Sequence, residues 1–211
     1  MKKIKESVFV FGASGHAKVI IDVLERQGEY SVFGLIDDDP GLLGKTIYGY
    51  PVLGAREKLI NSEVKRGIVA IGDNRSRCQI AKWLQSTGFG LITAVHPSAQ
   101  IARGVRLGAG TVVMAGGIIN SDSIISENVI VNSRSSIDHD CVIGAGVHLA
   151  PGTVLCGAVK VGDLAFVGAG VTIAPNLTVG EGSIIGAGAT VLSDISPNCV
   201  AVGTPAKKIG K

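Results

Sequence analysis

The sequence lacks several features that would place it in common functional classes. Its 211 residues carry a formal net charge of only +3, and this weak, dispersed charge does not point to nucleic acid as a partner. Its four cysteines, Cys78, Cys141, Cys156 and Cys199, show no Cys-x-x-Cys or similar metal spacing. No signal-peptide pattern precedes them, which leads us to expect reduced thiols in a cytoplasmic protein.

A membrane-spanning segment is also missing from the sequence. The stretch from 141 to 159 is uncharged and largely apolar. It contains His148, Pro151 and several small residues that recur in phase with the repeat described next, which is not typical of a spanning helix. We therefore expect no membrane insertion.

What the sequence does have is a repeat of six residues. Every sixth residue from Ile101 to Val191 is Ile, Leu or Val without a break. A period of six fits neither a helix nor a flat strand, but it suits a chain that turns a corner after each short strand. Three hexads then make one triangular coil with the aliphatic residues stacked inside. The repeat predicts a parallel β-helix of about five coils.

Other places in the hexad support this prediction. We number the places from the aliphatic residue, which is place one. The fifth place is small or of modest size, as at Thr111, Ser123 and Cys141, which a narrow interior requires. Near the predicted corners, where we expect backbone angles that other residues avoid, the glycines are Gly104, Gly108, Gly110, Gly144, Gly146, Gly168, Gly170, Gly182, Gly186 and Gly188.

The chain before the repeat alternates strand and helix patterns instead. Apolar strands are predicted at 7–12, 31–36, 67–72 and 91–95, with an extended segment at 47–54. Helices are predicted at 17–27, ending before Gly28, at 56–61 and at 75–88. This alternation predicts a Rossmann-like α/β domain with a parallel sheet over 1–97, followed by the β-helix domain and a C-terminal tail over 98–211.

Ligands of such a sheet bind beyond the carboxyl ends of its strands. The candidate residues there are Gly12, Ser14, Gly15, His16, Asp37 and Asp38. A Gly-x-x-Gly turn before a helix lets backbone N–H groups approach a phosphate, although the full Gly-x-Gly-x-x-Gly pattern is broken by Val10. A tight turn without a ligand, a helix-capping role for His16 and a solvated acidic turn are the alternatives.

The polar side chains of the β-helix are concentrated between 133 and 152, where Asp138, His139, Asp140 and His148 stand. A solenoid needs no histidine for packing. His139 is in the third place of its hexad and His148 in the sixth place of the next, which predicts positions near corners of neighbouring faces. Histidine suits a general base near neutral pH, and an adjacent carboxylate orients it or raises its basicity. The alternative is a pair of ordinary surface histidines.

Four segments together resemble the bacterial sugar O- and N-acetyltransferases of the NeuD/PglD type. They are GASGHAKVIID, AIGDNRSR, NSRSSIDHDCVIGAGVHLAPG and VGTPAKKI, and the resemblance spans essentially the whole chain. It implies a left-handed parallel β-helix, a homotrimer and an amino-terminal domain that binds a nucleotide sugar. It also implies that acetyl-CoA lies along the groove between adjacent β-helices, with no metal.

The resemblance further implies residue roles. His139 matches the general base, and Asp140 matches its acidic neighbour. Implied contacts with the nucleotide sugar are Asn132, His16, Asp37 and Asp38. Implied contacts with acetyl-CoA are His148, Gly157, Gly186, Pro205 and Lys207, with the N–H of Gly157 holding the carbonyl oxygen.

The reaction predicted on this basis is direct transfer of an acetyl group to the 4-amino group of a nucleotide-linked 4-amino-4,6-dideoxy sugar. The nearest alternative is O-acetylation of a sialic acid or related sugar, since nothing in the sequence separates an amine from a hydroxyl acceptor. A β-helix carbonic anhydrase would need three zinc histidines, whereas the repeat contains His139 and His148. A pyridine-nucleotide oxidoreductase is disfavoured by the broken glycine pattern, and a purely structural solenoid would leave the His–Asp pair unexplained.

Overall fold

The computed structural model describes residues 5–209 of the chain. The chain divides into two compact units, Met1–Pro97 and Ser98–Lys211. Each unit has its own secondary structure and its own core, and each is described by itself.

The first unit is an α/β domain with two helices, α1 (Gly15–Gln27) and α2 (Asn74–Ser86). Its strands are β1 (Glu6–Phe11), β2 (Tyr30–Ile36), β3 (Thr46–Ile47), β4 (Tyr50–Gly54), β5 (Arg66–Val69), β6 (Gly90–Leu91) and β7 (Ala94–Val95), and two short 3-10 helices span Pro40–Leu42 and Arg56–Leu59. The sheet order is β3-β4-β2-β1-β5-β6. Every neighbouring pair is parallel except β3 with β4. The predicted Rossmann-like parallel sheet is confirmed.

Two predictions for this unit are wrong in detail. The segment 47–54 is not one extended run, because Tyr48 and Gly49 both have positive φ, 48° and 83°. Two such residues in succession form the tight turn of a hairpin, so β3 and β4 pair antiparallel across it. The segment 91–95 is likewise interrupted between β6 and β7.

The two helices begin directly after strands β1 and β5 and bury apolar faces. Helix α1 buries a stripe that includes Ile20, Ile21 and Leu24, and it ends at Gly28, whose φ is 73° and whose N–H donates to the Leu24 carbonyl. Helix α2 begins at Asp73, whose side chain accepts from the Ser76 N–H at 2.8 Å. These starts place the connecting loops at the carboxyl edge of the sheet.

The second unit is a parallel β-helix built from two-residue strands. They are β8 (Gln100–Ile101), β9 (Arg106–Leu107), β10 (Val112–Val113), β11 (Ile118–Ile119), β12 (Ile124–Ile125), β13 (Ile130–Val131), β14 (Ser136–Ile137), β15 (Val142–Ile143), β16 (His148–Leu149), β17 (Val154–Leu155), β18 (Lys160–Val161), β19 (Phe166–Val167), β20 (Thr172–Ile173), β21 (Thr178–Val179), β22 (Ile184–Ile185) and β23 (Thr190–Val191), followed by β24 (Val200–Val202) and β25 (Lys207–Ile209). Each pairs with the strand one coil away, as Ile119 does with Ile137 and Ile137 with Leu155. The predicted β-helix is confirmed, and its coils advance by 18 residues.

The interior of the β-helix follows the hexad. The aliphatic residues of place one are buried from Val113 to Val191. Hydroxyls in the fifth place are also buried, and each donates to a backbone carbonyl, as Ser123 does to Asp138 at 2.7 Å and Ser135 to Ala150 at 3.0 Å. Polar groups are therefore satisfied within the narrow core.

The corners use two different backbone devices. The fourth place of each hexad from Gly104 to Gly188 has a positive φ, whether or not the residue is glycine, and Asp140 adopts 59° there. Glycines in the second place, such as Gly168, do not have a positive φ, so the expected reason for them is wrong. A Cβ on Gly168 would lie 2.6 Å from the backbone N of Ala187 in the next coil, which makes close approach the reason for glycine.

Candidate active site

The glycine turn after β1 lies where three strand ends meet. The N–H of Gly12 donates to the Ile36 carbonyl at 2.7 Å, and the Phe11 carbonyl accepts from Ala70. Gly12 has a φ of 111°, and a Cβ there would lie 2.7 Å from the Ala70 oxygen, so this position excludes a side chain. Ser14 and Gly15 follow at the exposed start of α1. The four loop residues predicted to contact the nucleotide sugar, Gly12, Ser14, Gly15 and His16, are thus contiguous at the carboxyl edge of the sheet.

Asp37 and Asp38 lie at the same edge, but their carboxylates are bound to the protein itself. Asp37 accepts from the backbone N–H groups of Ala13 at 2.8 Å and Asp39 at 3.0 Å, and so ties the loop after β2 to the glycine turn. Asp38 accepts from Arg56 Nε at 3.0 Å and from the Arg56 N–H at 3.1 Å. These hydrogen bonds hold the pKa of Asp38 below its usual range. Their position agrees with the prediction, while contact with a ligand stays a prediction.

Arg56 itself was missed by the sequence analysis. Its guanidinium carbon lies 5.1 Å from the centre of the Trp83 ring and 5.8 Å from that of Phe11. A cation over aromatic faces and paired with a carboxylate is held in one position. Arg56 therefore fixes Asp38 next to the end of β1.

The loop after β5 is organised by a second arginine that the sequence analysis missed, Arg77. Its side chain is 1% exposed, and it donates to the carbonyls of Ile71 at 3.1 Å and Gly72 at 3.0 Å and to Asn74 Oδ1 at 2.9 Å. Burial lowers its pKa to about 10. A signal existed, because Arg77 lies on the stripe of α2 that also carries the buried Ile80, Ala81 and Leu84.

Arg77 also affects His16. Burial, and secondly the charge of Arg77, lower the pKa of His16 to about 4. The imidazole is therefore neutral throughout the physiological pH range. It meets any ligand as a neutral hydrogen-bonding group and not as a cation.

In the β-helix, the His139–Asp140 pair is formed at the corner after β14. His139 Nδ1 lies 2.7 Å from Asp140 Oδ2, and the positive φ of Asp140 turns its side chain to the ring. Because the carboxylate accepts, the proton of the neutral ring is on Nδ1, and Nε2 carries the lone pair. The hydrogen bond to Asp140, and secondly the charge of Asp138, raise the pKa of His139. Such a ring, well exposed, can accept a proton from a substrate.

Asp138 supports this pair from the other side. Its Oδ1 accepts from the His139 backbone N–H at 2.8 Å and from Asn120 Nδ2 at 3.0 Å. These two bonds lower the pKa of Asp138, Asn120 being the larger cause. Asn120 belongs to the preceding coil, so it was not apparent as part of the site from the sequence.

Asn132 and His148 form a second polar pair. Asn132 Nδ2 lies 3.2 Å from His148 Nε2, while Asn132 Oδ1 accepts from the Ser133 N–H at 2.8 Å. The His148 ring meets Phe166 edge-on, with 5.2 Å between centroids. The residue predicted near the sugar and the residue predicted near the thioester are therefore in direct contact.

The two polar groups of the β-helix stand at different corners of one chain. Asn132 follows β13, whereas His139 follows β14 on the next face of the coil. A face of about five extended residues separates them, which corresponds to roughly 15 Å. Gly157, by contrast, lies one coil after His139 at the same corner, and a Cβ on it would touch the ring. One chain does not bring all the predicted residues together.

The remaining predicted cofactor contacts lie toward the end of the chain. Gly186 donates to the Ala201 carbonyl at 2.8 Å, and a Cβ there would lie 2.7 Å from Val202 Cγ1, so packing alone explains the glycine. Pro205 and Lys207 are exposed at and after the turn between β24 and β25, which pair antiparallel. Their contact with a cofactor stays a prediction.

Two further properties concern residues 5–209 alone. Within this range, no three side chains of His, Cys, Asp or Glu are grouped so that they could hold a metal ion. Across the same residues, no helix has both the length and the apolar character needed to cross a membrane.

Comparison with known proteins matches both units. Residues 7–84 match the PglD N-terminal domain, and residues 122–157 and 158–193 match the bacterial transferase hexapeptide, a family of six repeats. The chain is 30% identical over 168 residues to GDP-perosamine N-acetyltransferase of Escherichia coli O157:H7, which covers 78% of this chain and 76% of the relative.

Solved structures resemble the whole chain. PerB from Caulobacter crescentus, in complex with CoA and GDP-perosamine, is 41% identical with a TM-score of 0.92, covering 99% of both chains. The acetyltransferase domain of PglB from Neisseria gonorrhoeae FA1090, in complex with acetyl coenzyme A, is 34% identical with a TM-score of 0.89, covering 97% of this chain and all of that one. The chain therefore belongs to the PglD-type family of hexapeptide-repeat sugar N-acetyltransferases, enzymes that take their acetyl group from acetyl-CoA.

Proposed function

We propose that the protein acetylates the 4-amino group of a nucleotide-linked 4-amino-4,6-dideoxy sugar, with GDP-perosamine as the first acceptor to test. Support comes from the relatives, which are named for N-acetylation of GDP-perosamine or hold it together with CoA. They favour an amine over the hydroxyl of a sialic acid. They also favour a sugar acetyltransferase over a carbonic anhydrase or an oxidoreductase.

The observation that carries the mechanism is the His139–Asp140 pair. With Nδ1 donating to Asp140, the Nε2 lone pair accepts a proton from the sugar amine as its nitrogen attacks the thioester carbonyl carbon. A C–N bond forms, the C–S bond of the tetrahedral intermediate then breaks, and the proton on Nε2 passes to the departing CoA sulfur. No acetylated side chain is required.

Gly157 and Asp140 assist this transfer in different ways. Asp140 stabilises the imidazolium that forms when His139 takes the proton. Among residues 5–209, the backbone N–H of Gly157 donates no hydrogen bond, which fits the predicted role of holding the thioester oxygen as it becomes an oxyanion. Asn132 and His148 would then act on the sugar and the thioester.

We also propose that the enzyme works as a homotrimer. The pair Asn132–His148 and the pair His139–Asp140 occupy different corners of one chain, so a second copy is needed to bring them to the same acetyl group. We expect the trimer to work in the cytoplasm, and the nucleotide sugar to bind at the carboxyl edge of the sheet near His16 and Asp37. Sedimentation should show a trimer at micromolar concentration, whereas a monomer with full activity would contradict this arrangement.

The acceptor can be tested directly with purified protein. Acetyl-CoA is supplied with GDP-perosamine, with a UDP-linked 4-amino sugar and with CMP-linked sialic acid, while release of free CoA is followed and the products are weighed by mass spectrometry. We expect release with a 4-amino sugar, a product heavier by one acetyl group, and no such release from the His139→Ala variant. Turnover with sialic acid alone would replace N-acetylation by O-acetylation.

A further inference from the structure

Gly157 lies against the His139 imidazole from the next coil of the β-helix. A Cβ atom on Gly157 would lie 2.8 Å from both Cε1 and Nε2 of His139 and 3.5 Å from Cδ2. Non-bonded carbon atoms attract best at about 3.5–4.0 Å and repel at shorter distances. The ring therefore occupies the space that a side chain at 157 would take.

The backbone does not require glycine at this position. Gly157 is not among the residues with positive φ, and the left-handed residue of its hexad is Ala158, with a φ of 58°. At every sixth residue from Arg103 to Ala187, which is the third place of each hexad, the other residues all carry side chains. The imidazole of His139 is thus the structural reason for a glycine here.

The position of the ring determines its chemistry. Nδ1 meets Asp140 Oδ2 at 2.7 Å only while the ring lies against Gly157, and the backbone of His139 is held by Asp138 at 2.8 Å. Since the backbone is held, a ring displaced by a side chain at 157 must turn about its own side-chain torsions. Such a rotation takes Nδ1 away from Asp140 and moves Nε2 with it.

We propose that Gly157 is a positioning residue, which by having no side chain leaves the His139 ring the space in which Nδ1 reaches Asp140. The inference rests on the proposed function, in which His139 is the base. It is separate from the role of the Gly157 N–H, because an alanine keeps that N–H and changes only the space beside the ring.

The first test is Gly157→Ala, read without any substrate. The pKa of His139 is measured by NMR titration, with the four histidine signals assigned from single His→Ala variants. The carboxylates that act on this ring are Asp138 and Asp140. We expect the His139 pKa to fall toward its ordinary value as the bond to Asp140 is lost. An unchanged pKa would overturn the proposal, whatever acceptor the enzyme uses.

The second test measures turnover in a matched pair of backgrounds. Gly157→Ala in the natural protein should lower kcat/KM by about 10²-fold, the loss expected for a displaced catalytic group, with the affinity for acetyl-CoA retained in calorimetry. Gly157→Ala added to His139→Ala should cost nothing further, since the methyl group enters the space that the ring has left. An equal loss in both backgrounds would mean that the glycine makes room for substrate or for the coil, and the proposal would be wrong.

A control variant addresses folding. Ala115→Ser enlarges a side chain at an exposed third place in an earlier coil, and it should keep both the melting temperature and the activity. If Gly157→Ala lowers the melting temperature strongly while the His139 titration is unchanged, Gly157 serves the coil and not the base. That result would also overturn the proposal.

Discussion

Replacing Asp140 by asparagine tests the catalytic pair with the smallest change of shape. The carboxylate accepts a 2.7 Å hydrogen bond from His139 Nδ1, and this bond is the main cause of the raised pKa of the ring. Asparagine keeps an oxygen of similar reach but removes the charge. We expect the pKa of His139 to fall, which makes the unprotonated ring more abundant at low pH but a weaker base.

The size of the effect follows from the exposure of the pair. The side chains of His139 and Asp140 are 59% and 63% exposed, so solvent and salt screen their attraction. The amide oxygen can still orient the ring. We therefore expect kcat/KM on the high-pH plateau to fall about tenfold, which is smaller than the 10²- to 10⁴-fold loss typical of deleting a general base.

The assay is the pH profile of kcat/KM. The rate rises with pH as His139 loses its proton, and because the natural pKa is raised, the rising limb lies at higher pH than for an ordinary histidine. In Asp140→Asn the limb should move to lower pH. NMR titration of His139 in the same variant distinguishes this shift from titration of the acceptor amine. A limb and an NMR pKa that both stay in place, or a loss equal to that of His139→Ala, would refute the role given to the carboxylate.

Three further predictions concern His139, His16 and Arg77. His139→Ala should keep both ligand affinities and lower kcat by about 10² to 10⁴-fold, and near-normal turnover in steady-state kinetics would exclude it as the base. His16→Asn should raise the KM for the nucleotide sugar while calorimetry shows unchanged acetyl-CoA affinity; a loss for both substrates would contradict the assigned site. Because the folded pKa of His16 is lowered to about 4, below its unfolded value of 6.5, the unfolded chain binds the extra proton between these pH values, so stability present above pH 6.5 is lost as pH falls toward 4. This loss should reach about 3 kcal/mol, and denaturant titrations should find it smaller in His16→Asn. Arg77→Met leaves the Ile71 and Gly72 carbonyls without their donor, so the free energy of unfolding should fall by about 2–4 kcal/mol, and the pKa of His16 should rise as the positive charge is removed.

The β-helix could be predicted because one place in each hexad does a single job. An aliphatic residue at place one is buried in every coil from Val113 onward, so the period is visible without any long-range information. The hairpin at Tyr48 and Gly49 could not be predicted in this way, because Tyr-Gly is not among the dipeptides that mark such turns. Only the measured φ values reveal it.

The candidate site divides along the same line. His139 and Asp140 are neighbours in the chain, so their pairing could be anticipated from the sequence. Arg77 could not be recognised, because a charged residue in the middle of a helix is ordinarily solvated. The reason for its burial lies in the carbonyls of a loop that folds back over it. The commitment of Asp37 to backbone N–H groups is hidden from the sequence for the same reason.

The coil length of 18 residues limits how this chain can vary in length. His139 meets Gly157 because they are one coil apart. An insertion of six residues between His139 and Pro151 would preserve every aliphatic stack, yet it would bring Pro151 to the place that Gly157 now occupies beside the ring. Insertions or deletions of a whole coil before Gly104 would leave that neighbour unchanged. Natural or engineered variants of this protein should therefore gain and lose coils before the catalytic corner, while the 18 residues from His139 to Gly157 keep a constant length.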